Sequence, residues 1–215
     1  KDFTGEISDL PFTRPADIAA DPMAFLAIPP SEVERITTLT TSGTTGIRKR
    51  IFFSANDIER IINYFAVGMR TLTARGWHTE ILISDDTVNS LGNLLRSALG
   101  RIGVTSHILS VIPDVHTAIS ASKEADCLVG MPAEILYMCR TDPGLRPKSI
   151  LLTADYVPES VIRSISETWK CHVFTHYGMT ETGFGYAVDC EHHEGHHTRD
   201  ADVLVEIINP NTGLP

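Results

Sequence analysis

Between residues 80 and 175 short apolar, β-branched runs alternate with longer segments of helical periodicity, and this alternation limits the fold more than any other feature. Ile81–Ile83, Thr105–Leu109, Cys127–Val129, Ser149–Leu152 and Cys171–Thr175 read as short buried strands. Between them, Val88, Leu91, Leu95, Ala98 and Ile102 recur at helical spacing and stop at Gly103. Val115–Lys123 is a second expected helix, and Pro132–Arg140 a third with proline in its first turn. Pro158–Trp169 is a fourth, with Val161, Ile162 and Ile165 inward. Parallel strands need a long crossover, so this alternation implies an α/β fold with a largely parallel sheet and flanking helices.

The flanks read differently. Residues 1–35 carry five prolines and little periodicity, and read as an extended lead-in with one short helix near Pro22–Ala27. Ile36–Thr41 and Ile51–Phe53 are strand candidates around a polar loop. Ser54-x-x-Asp57 marks a helix start. Ile58, Ile61, Ile62, Phe65, Met69 and Leu72 then form a stripe, carrying the helix to about Arg75 before Gly76. This stripe reads as core. Late strands are expected at Gly185–Val188 and Val203–Ile208.

Composition removes several function classes. At 215 residues, one domain or one and a half is expected. An apolar content of 42% argues against disorder, and no apolar run reaches the ~18 residues of a membrane span. No signal peptide is visible at the start. A net charge of −9 argues against a nucleic-acid groove. The four cysteines form no C-x-x-C pair and read as reduced thiols of a cytoplasmic protein. No G-x-S-x-G nucleophile motif is present.

Seven of the ten residues Thr37–Gly46 carry hydroxyls, Gly43 and Gly46 interrupt them, and Arg48-Lys49-Arg50 follows. Glycines let backbone N–H groups approach an anion, hydroxyls donate further hydrogen bonds, and a lysine adds charge, so the segment suits a polyphosphate. It is neither a Walker A loop nor a G-x-G-x-x-G fingerprint. The alternative reading is a polar surface loop.

Thr41-Ser42-Gly43-Thr44-Thr45-Gly46 followed by Lys49 resembles the phosphate-loop signature T-S-G-T-T-G-x-P-K of the adenylate-forming superfamily of acyl-CoA synthetases, luciferases and peptide-synthetase adenylation domains. Downstream, His176-Tyr177-Gly178-Met179-Thr180-Glu181 resembles the superfamily's Y-G-x-T-E motif. Thr153-Ala154-Asp155 falls where its adenine-contacting G-A/G-E segment would lie. Gly183, Cys190, Val205–Pro210 and Gly213 are similar to the phenylacetate-CoA-ligase-like branch. Two departures stand out: the loop exit reads Ile47-Arg48-Lys49 and lacks the family proline, and Asp155 is one methylene shorter than the family glutamate.

The resemblance implies roles. Thr41–Gly46 and Lys49 would hold the β- and γ-phosphates of ATP. Thr153–Asp155 and His176–Met179 would line the adenine and acyl groups. Thr180 would touch the α-phosphate, and Glu181 would help hold Mg²⁺, which prefers one or two carboxylates plus phosphate oxygens. Lys49, Thr180 and Glu181 are thus the candidate catalytic residues. The fold implied is part of the large N-terminal domain of an adenylate-forming enzyme. Residues 36–215 would be a partial AMP-binding domain, and the lysine-bearing C-terminal domain would be absent.

The activity implied is that of an AMP-forming acid–thiol ligase, with a small carboxylic acid, ATP and coenzyme A as partners and this piece inactive alone. A homodimer is among the assemblies the chain admits. Two alternatives stay open. One is a non-catalytic nucleotide- or metal-binding module derived from that fold, and the other is an acyl-protein synthetase.

Four of the nine histidines fall within Cys190-Glu191-His192-His193-Glu194-Gly195-His196-His197. Cys190 with His192 or His193, plus His196 or His197, is a candidate structural Zn²⁺ set of three ligands, because Cys and His at short spacings are zinc-ligand chemistry. The alternative is a solvated polar connection between two strands. Asn89–Gly92, at a strand–helix junction, is a candidate acyl-pocket segment. Trp77, His78 and Tyr186 are candidate pocket walls for which packing is the other reading.

Overall fold

A computed structural model describes residues 5, 10–40, 48–83, 89–109 and 114–213 of the chain. Those residues divide into two compact units, Lys1–Asp57 and Ile58–Pro215.

The first unit contains a short helix, α1 (Pro15–Ala20), two 3-10 turns at Pro22–Phe25 and Pro30–Glu32, and the strands β1 (Val33–Thr40) and β2 (Arg48–Ser54). Helix α1 lies within the expected lead-in. Proline at its first position and the Asp17 carboxylate, which accepts from the Arg14 N–H at 2.7 Å, start it without a Ser or Thr cap. Strands β1 and β2 pair antiparallel from Val33↔Ser54 to Thr40↔Arg48. The expected phosphate-loop residues Thr41, Ser42, Gly43, Thr44, Thr45 and Gly46 lie outside the described residues.

Helix α2 (Ala55–Leu72) opens on a reciprocal cap. Asp57 Oδ2 accepts from the Ser54 N–H at 2.8 Å and from its hydroxyl at 2.7 Å, and Ser54 Oγ accepts from the Asp57 N–H at 3.1 Å. The stripe Ile58, Ile61, Ile62, Phe65, Met69 and Leu72 is buried, as its spacing requires.

The second unit is built on a seven-stranded sheet in the order β4-β3-β5-β6-β7-β8-β9. The first five strands are β3 (His78–Leu82), β4 (Thr105–Ile108), β5 (Cys127–Gly130), β6 (Ser149–Leu152) and β7 (His172–Tyr177), all parallel. Helices α3 (Leu91–Arg101), α4 (Val115–Ser122), α5 (Pro132–Thr141) and α6 (Glu159–Trp169) connect them. The expected start of α3 at Val88 lies outside the described residues. Two short antiparallel strands, β8 (Ala187–Asp189) and β9 (His196–Thr198), complete the sheet.

Register explains why the central strands β5 and β6 read as nearly unbroken apolar runs. Ile81, Val129, Leu151 and Phe174 are aligned neighbours on one face. Leu128, Ile150 and Val173 are aligned on the other, where Ile135, Met138, Ile165 and Trp169 of α5 and α6 cover them. A parallel sheet covered on both faces favours apolar residues on both, and the buried Thr79, Glu80 and Ser149 are exceptions.

One expected strand is corrected. Val203–Ile208 is irregular, with Leu204, Val205 and Ile207 exposed. The strand next to β8 is instead β9, built from the histidine-rich segment. Alternating apolar residues make a strand only where a neighbouring edge accepts their backbone hydrogen bonds, and here His196–Thr198 holds that edge. Among the described residues no helix is long and apolar enough to cross a membrane.

Trp169 anchors the α5–α6 face: it is fully buried, and its indole N–H donates to the Asp142 carbonyl at 2.8 Å. Replacing a buried Trp by Ala removes that contact and opens a cavity. Trp169→Ala should therefore lower unfolding free energy by about 3–5 kcal/mol in urea titration.

Candidate functional site

The strand order β4-β3-β5-β6-β7 is that of a doubly wound sheet, with the winding reversing between β3 and β5. Ligands in such sheets bind outside the carboxyl ends of the strands, near the reversal. A cavity of about 40 Å³ opens there. Ile83, Val129, Leu151, Thr153 and His176 contribute from the strand ends, and Leu91 and Leu95 from α3. Helix α2 closes the remaining side with Tyr64, Phe65, Gly68 and Met69. Gly68 leaves space where a Cβ would come within 3.5 Å of Val188.

The segments after β6 and β7 are adjacent because Leu152 pairs with Thr175 in the sheet. Thr153 is buried, and its hydroxyl lies 3.2 Å from His176 Nδ1. Burial pushes the His176 imidazole down to about 4, with a smaller contribution from His196, so the ring is neutral at physiological pH. Ala154 has φ of 69°, a left-handed conformation uncommon outside glycine. Asp155 is exposed and its carboxylate accepts from the Tyr156 N–H at 2.7 Å.

From Tyr177 the chain turns tightly into β8. The Thr182 hydroxyl donates to the Met179 carbonyl at 3.0 Å, and the Phe184 N–H donates to the same carbonyl at 2.9 Å. Gly183 and Phe184 both have positive φ, at 69° and 65°. A Cβ on Gly178 would sit 2.4 Å from the Phe184 carbonyl oxygen, and one on Gly185 would sit 2.1 Å from Tyr64 Cε1. Both positions therefore require glycine. The turn buries Thr180 and leaves Glu181, Tyr177 and Met179 exposed. Tyr177 meets Tyr186 edge-on at 6.3 Å.

The structure thus brings Thr153 and His176 together, and carries Thr153–Asp155 and His176–Glu181 to the carboxyl ends of adjacent strands. Leu91 and Gly92, from the expected acyl-pocket segment, enter α3, and Leu91 lines the cavity. Ser90 caps that helix by accepting from the Asn93 N–H at 3.3 Å. Trp77 and His78 belong to the opposite, amino end of β3. Lys148 lies over the Trp77 ring at 4.7 Å, and His78 Nδ1 lies 3.1 Å from the Thr105 hydroxyl, so both pack rather than wall a pocket.

The histidine-rich segment does not converge. Among the described residues no three His, Cys, Asp or Glu side chains gather as a metal-binding group. His196 Nε2 meets the Thr175 hydroxyl at 2.9 Å, and Asp189 takes His193 at 2.7 Å and the Cys190 N–H at 2.8 Å. His192 and His197 are exposed. Neighbouring strand residues face opposite ways, which separates His196 from His197 on β9.

Tyr64 is the cavity residue that the sequence pattern passes over. It lies beside the buried stripe of α2, three residues after Ile61, and a polar-tipped aromatic there signals a helix edge meeting something other than plain core. Burial pushes its hydroxyl up to about 12, partly offset by Arg199, whose guanidinium lies 5.4 Å from the ring centre.

The depressed His176 value has a defined pH consequence. The unfolded chain takes up this proton near 6.5 and the folded one only near 4. The contribution of a neutral His176 is therefore complete above about pH 6.5 and is lost as pH falls toward 4, by up to about 3 kcal/mol. Urea titrations across that window should show a steeper loss for the native chain than for His176→Asn. Parallel curves would contradict the buried, neutral assignment.

Compared with known proteins, no family model matches the chain, and neither does any curated protein. Solved structures do. A 2-hydroxyisobutyryl-CoA ligase in complex with 2-HIB-AMP and CoA superposes with a TM-score of 0.72 at 12% identity, covering 86% of this chain and 44% of that one. The amide bond synthetase McbA from Marinactinospora thermotolerans gives 0.58 at 18% identity, covering 74% and 32%. The inhibitor-bound N-terminal domain of FACL13 from Mycobacterium tuberculosis gives 0.55 at 18% identity, covering 70% and 38%. The chain thus spans less than half the length of the ligases it matches, and over that span its fold is the α/β fold of the N-terminal region of adenylate-forming ligases.

Proposed function

We propose that the chain is part of an AMP-forming carboxylate ligase, which joins a carboxylic acid to ATP as an acyl-adenylate and then passes the acyl group to coenzyme A. One conjunction carries this reading. The Thr41–Gly46 and Lys49 motif and the Tyr177–Glu181 motif occur in order on a chain that shares its fold with solved ligases, one of which holds 2-HIB-AMP and CoA. Residues 36–215 then supply part of an adenylation domain. The four cysteines are free, which suits a reducing, cytoplasmic setting.

In the first step a carboxylate oxygen attacks the α-phosphorus of ATP, the bond to the bridging oxygen breaks, and pyrophosphate leaves. In the second, the coenzyme A sulfur attacks the acyl carbon, AMP leaves, and the thiol proton passes to solvent. Such chemistry depends on positioning and on neutralising charge as it develops. Thr41–Gly46 and Lys49 would grip the outer phosphates, and Thr180 the α-phosphate. Thr153–Asp155 and His176–Met179 would border the adenine. The cavity between α2 and the ends of β5–β7 would take the acyl chain.

Glu181 fits Mg²⁺. It is a single exposed carboxylate, and Mg²⁺ bound with nucleotides takes one or two carboxylates, the rest being phosphate oxygens and water. The ion would neutralise phosphate charge there.

Calorimetric titration of the 215-residue chain with Mg·ATP tests the assignment. Lys49→Ala and Glu181→Ala should each weaken binding by about tenfold to a hundredfold, the effect of losing one charge-assisted contact. If neither substitution changes nucleotide affinity, the ligase reading loses its basis.

A further inference from the structure

The turn that carries Thr180 and Glu181 is gripped from outside by one arginine. Its internal hydrogen bonds use the Met179 and Thr180 carbonyls, the second accepting from the Gly183 N–H at 3.1 Å. The Thr182 and Gly185 carbonyls accept instead from Nη1 of Arg199, at 3.3 and 3.5 Å, across 17 and 14 residues of chain. The Arg199 N–H donates to the Tyr186 carbonyl at 2.8 Å, which fixes its backbone beside the turn. Its second guanidinium nitrogen, Nη2, donates to Asp202 Oδ2 at 2.5 Å, and that oxygen lies 3.9 Å from Arg60 Nη1 on α2. The Tyr64 ring backs the guanidinium at 5.4 Å. The Arg199 side chain is only 10% exposed, a degree of burial that arginine reaches when it is paired.

We propose that Arg199 is a positioning residue that sets the Glu181 carboxylate for Mg·ATP. This rests on the ligase reading of the Tyr177–Glu181 motif. Glu181 directly precedes Thr182 in the three-residue 3-10 turn Thr180–Thr182, so a shift of the Thr182 carbonyl moves it at once. The turn also needs outside support. Gly183 and Phe184 are consecutive left-handed residues, and a non-glycine residue in that conformation persists only where its surroundings hold it. A Cβ on Gly183 would stand 3.0 Å from Ile61 Cγ1 and 3.4 Å from Arg199 Nη1, so the turn is seated between α2 and the arginine.

A guanidinium suits this task better than an ammonium. It is planar and presents its donors in a fixed fork, so one side chain reaches two carbonyls and a carboxylate together. Hydrogen bonds from a charged donor are also stronger than neutral ones.

Calorimetric titration of the full chain with Mg·ATP tests the role, with urea titration to establish that each variant is folded. Arg199→Lys keeps the charge and the aliphatic stem but not the fork, and should weaken binding about threefold to tenfold. Asp202→Asn removes the charge that orients the guanidinium while leaving Arg199 in place, and should weaken binding to a smaller extent. In Glu181→Ala the carboxylate being positioned is gone, so adding Arg199→Lys should then change affinity by less than about twofold. An arginine that merely supported the fold would weaken binding equally in both backgrounds. Native affinity in both single variants, or a loss of the same size with and without Glu181, overturns the positioning role and leaves the ligase reading standing. If the native chain does not bind Mg·ATP, or Glu181→Ala alone leaves its affinity unchanged, the ligase reading falls and the positioning role falls with it.

Discussion

A parallel sheet has no free face, and most of this molecule's second unit follows from that constraint. The central strands β3, β5, β6 and β7 are covered on both sides, so Ile81, Val129 and Leu151 point one way while Leu128, Ile150 and Val173 point the other. Helices α5 and α6 cover the second row, and α2 and α3 lie over the first. With both faces closed, the strand ends are where polar groups can gather. The segments after β6 and β7 come together there because their strands pair, and α2 closes over them incompletely, leaving the small cavity.

That gap is bought by two glycines and one tyrosine. Gly185 lets the turn after β7 pass against the Tyr64 ring, and Gly178 lets the turn fold onto the Phe184 carbonyl. Neither position tolerates a Cβ without moving its neighbours. Ala154, Gly183 and Phe184, in the loops after β6 and β7, are left-handed, as are Asn89, Lys170 and His193 elsewhere among the described residues.

Local signals made much of this legible in the sequence. The helical stripe of α2, its Ser54–Asp57 cap and the buried runs of β3–β7 need only periodicity and burial to be recognised. What was not legible depended on partners distant in sequence. Val203–Ile208 has the composition of a strand, yet β9 occupies the edge of β8. His196–Thr198 has weak strand character and pairs there because the turn at Gly195 returns it to Asp189. Thr153 and His176 fell within segments identified by motif, but their contact depends on the β6–β7 register. Tyr64 carries no motif, and only packing of α2 against the turn after β7 reveals its place.

The most direct measurement is a crystal structure of the chain with a non-hydrolysable acyl-sulfamoyl adenosine. The proposed function puts the acyl group between α2 and the ends of β5–β7 and the adenosine over the segments following β6 and β7. An acyl group bound elsewhere, with the cavity holding only water, would contradict it.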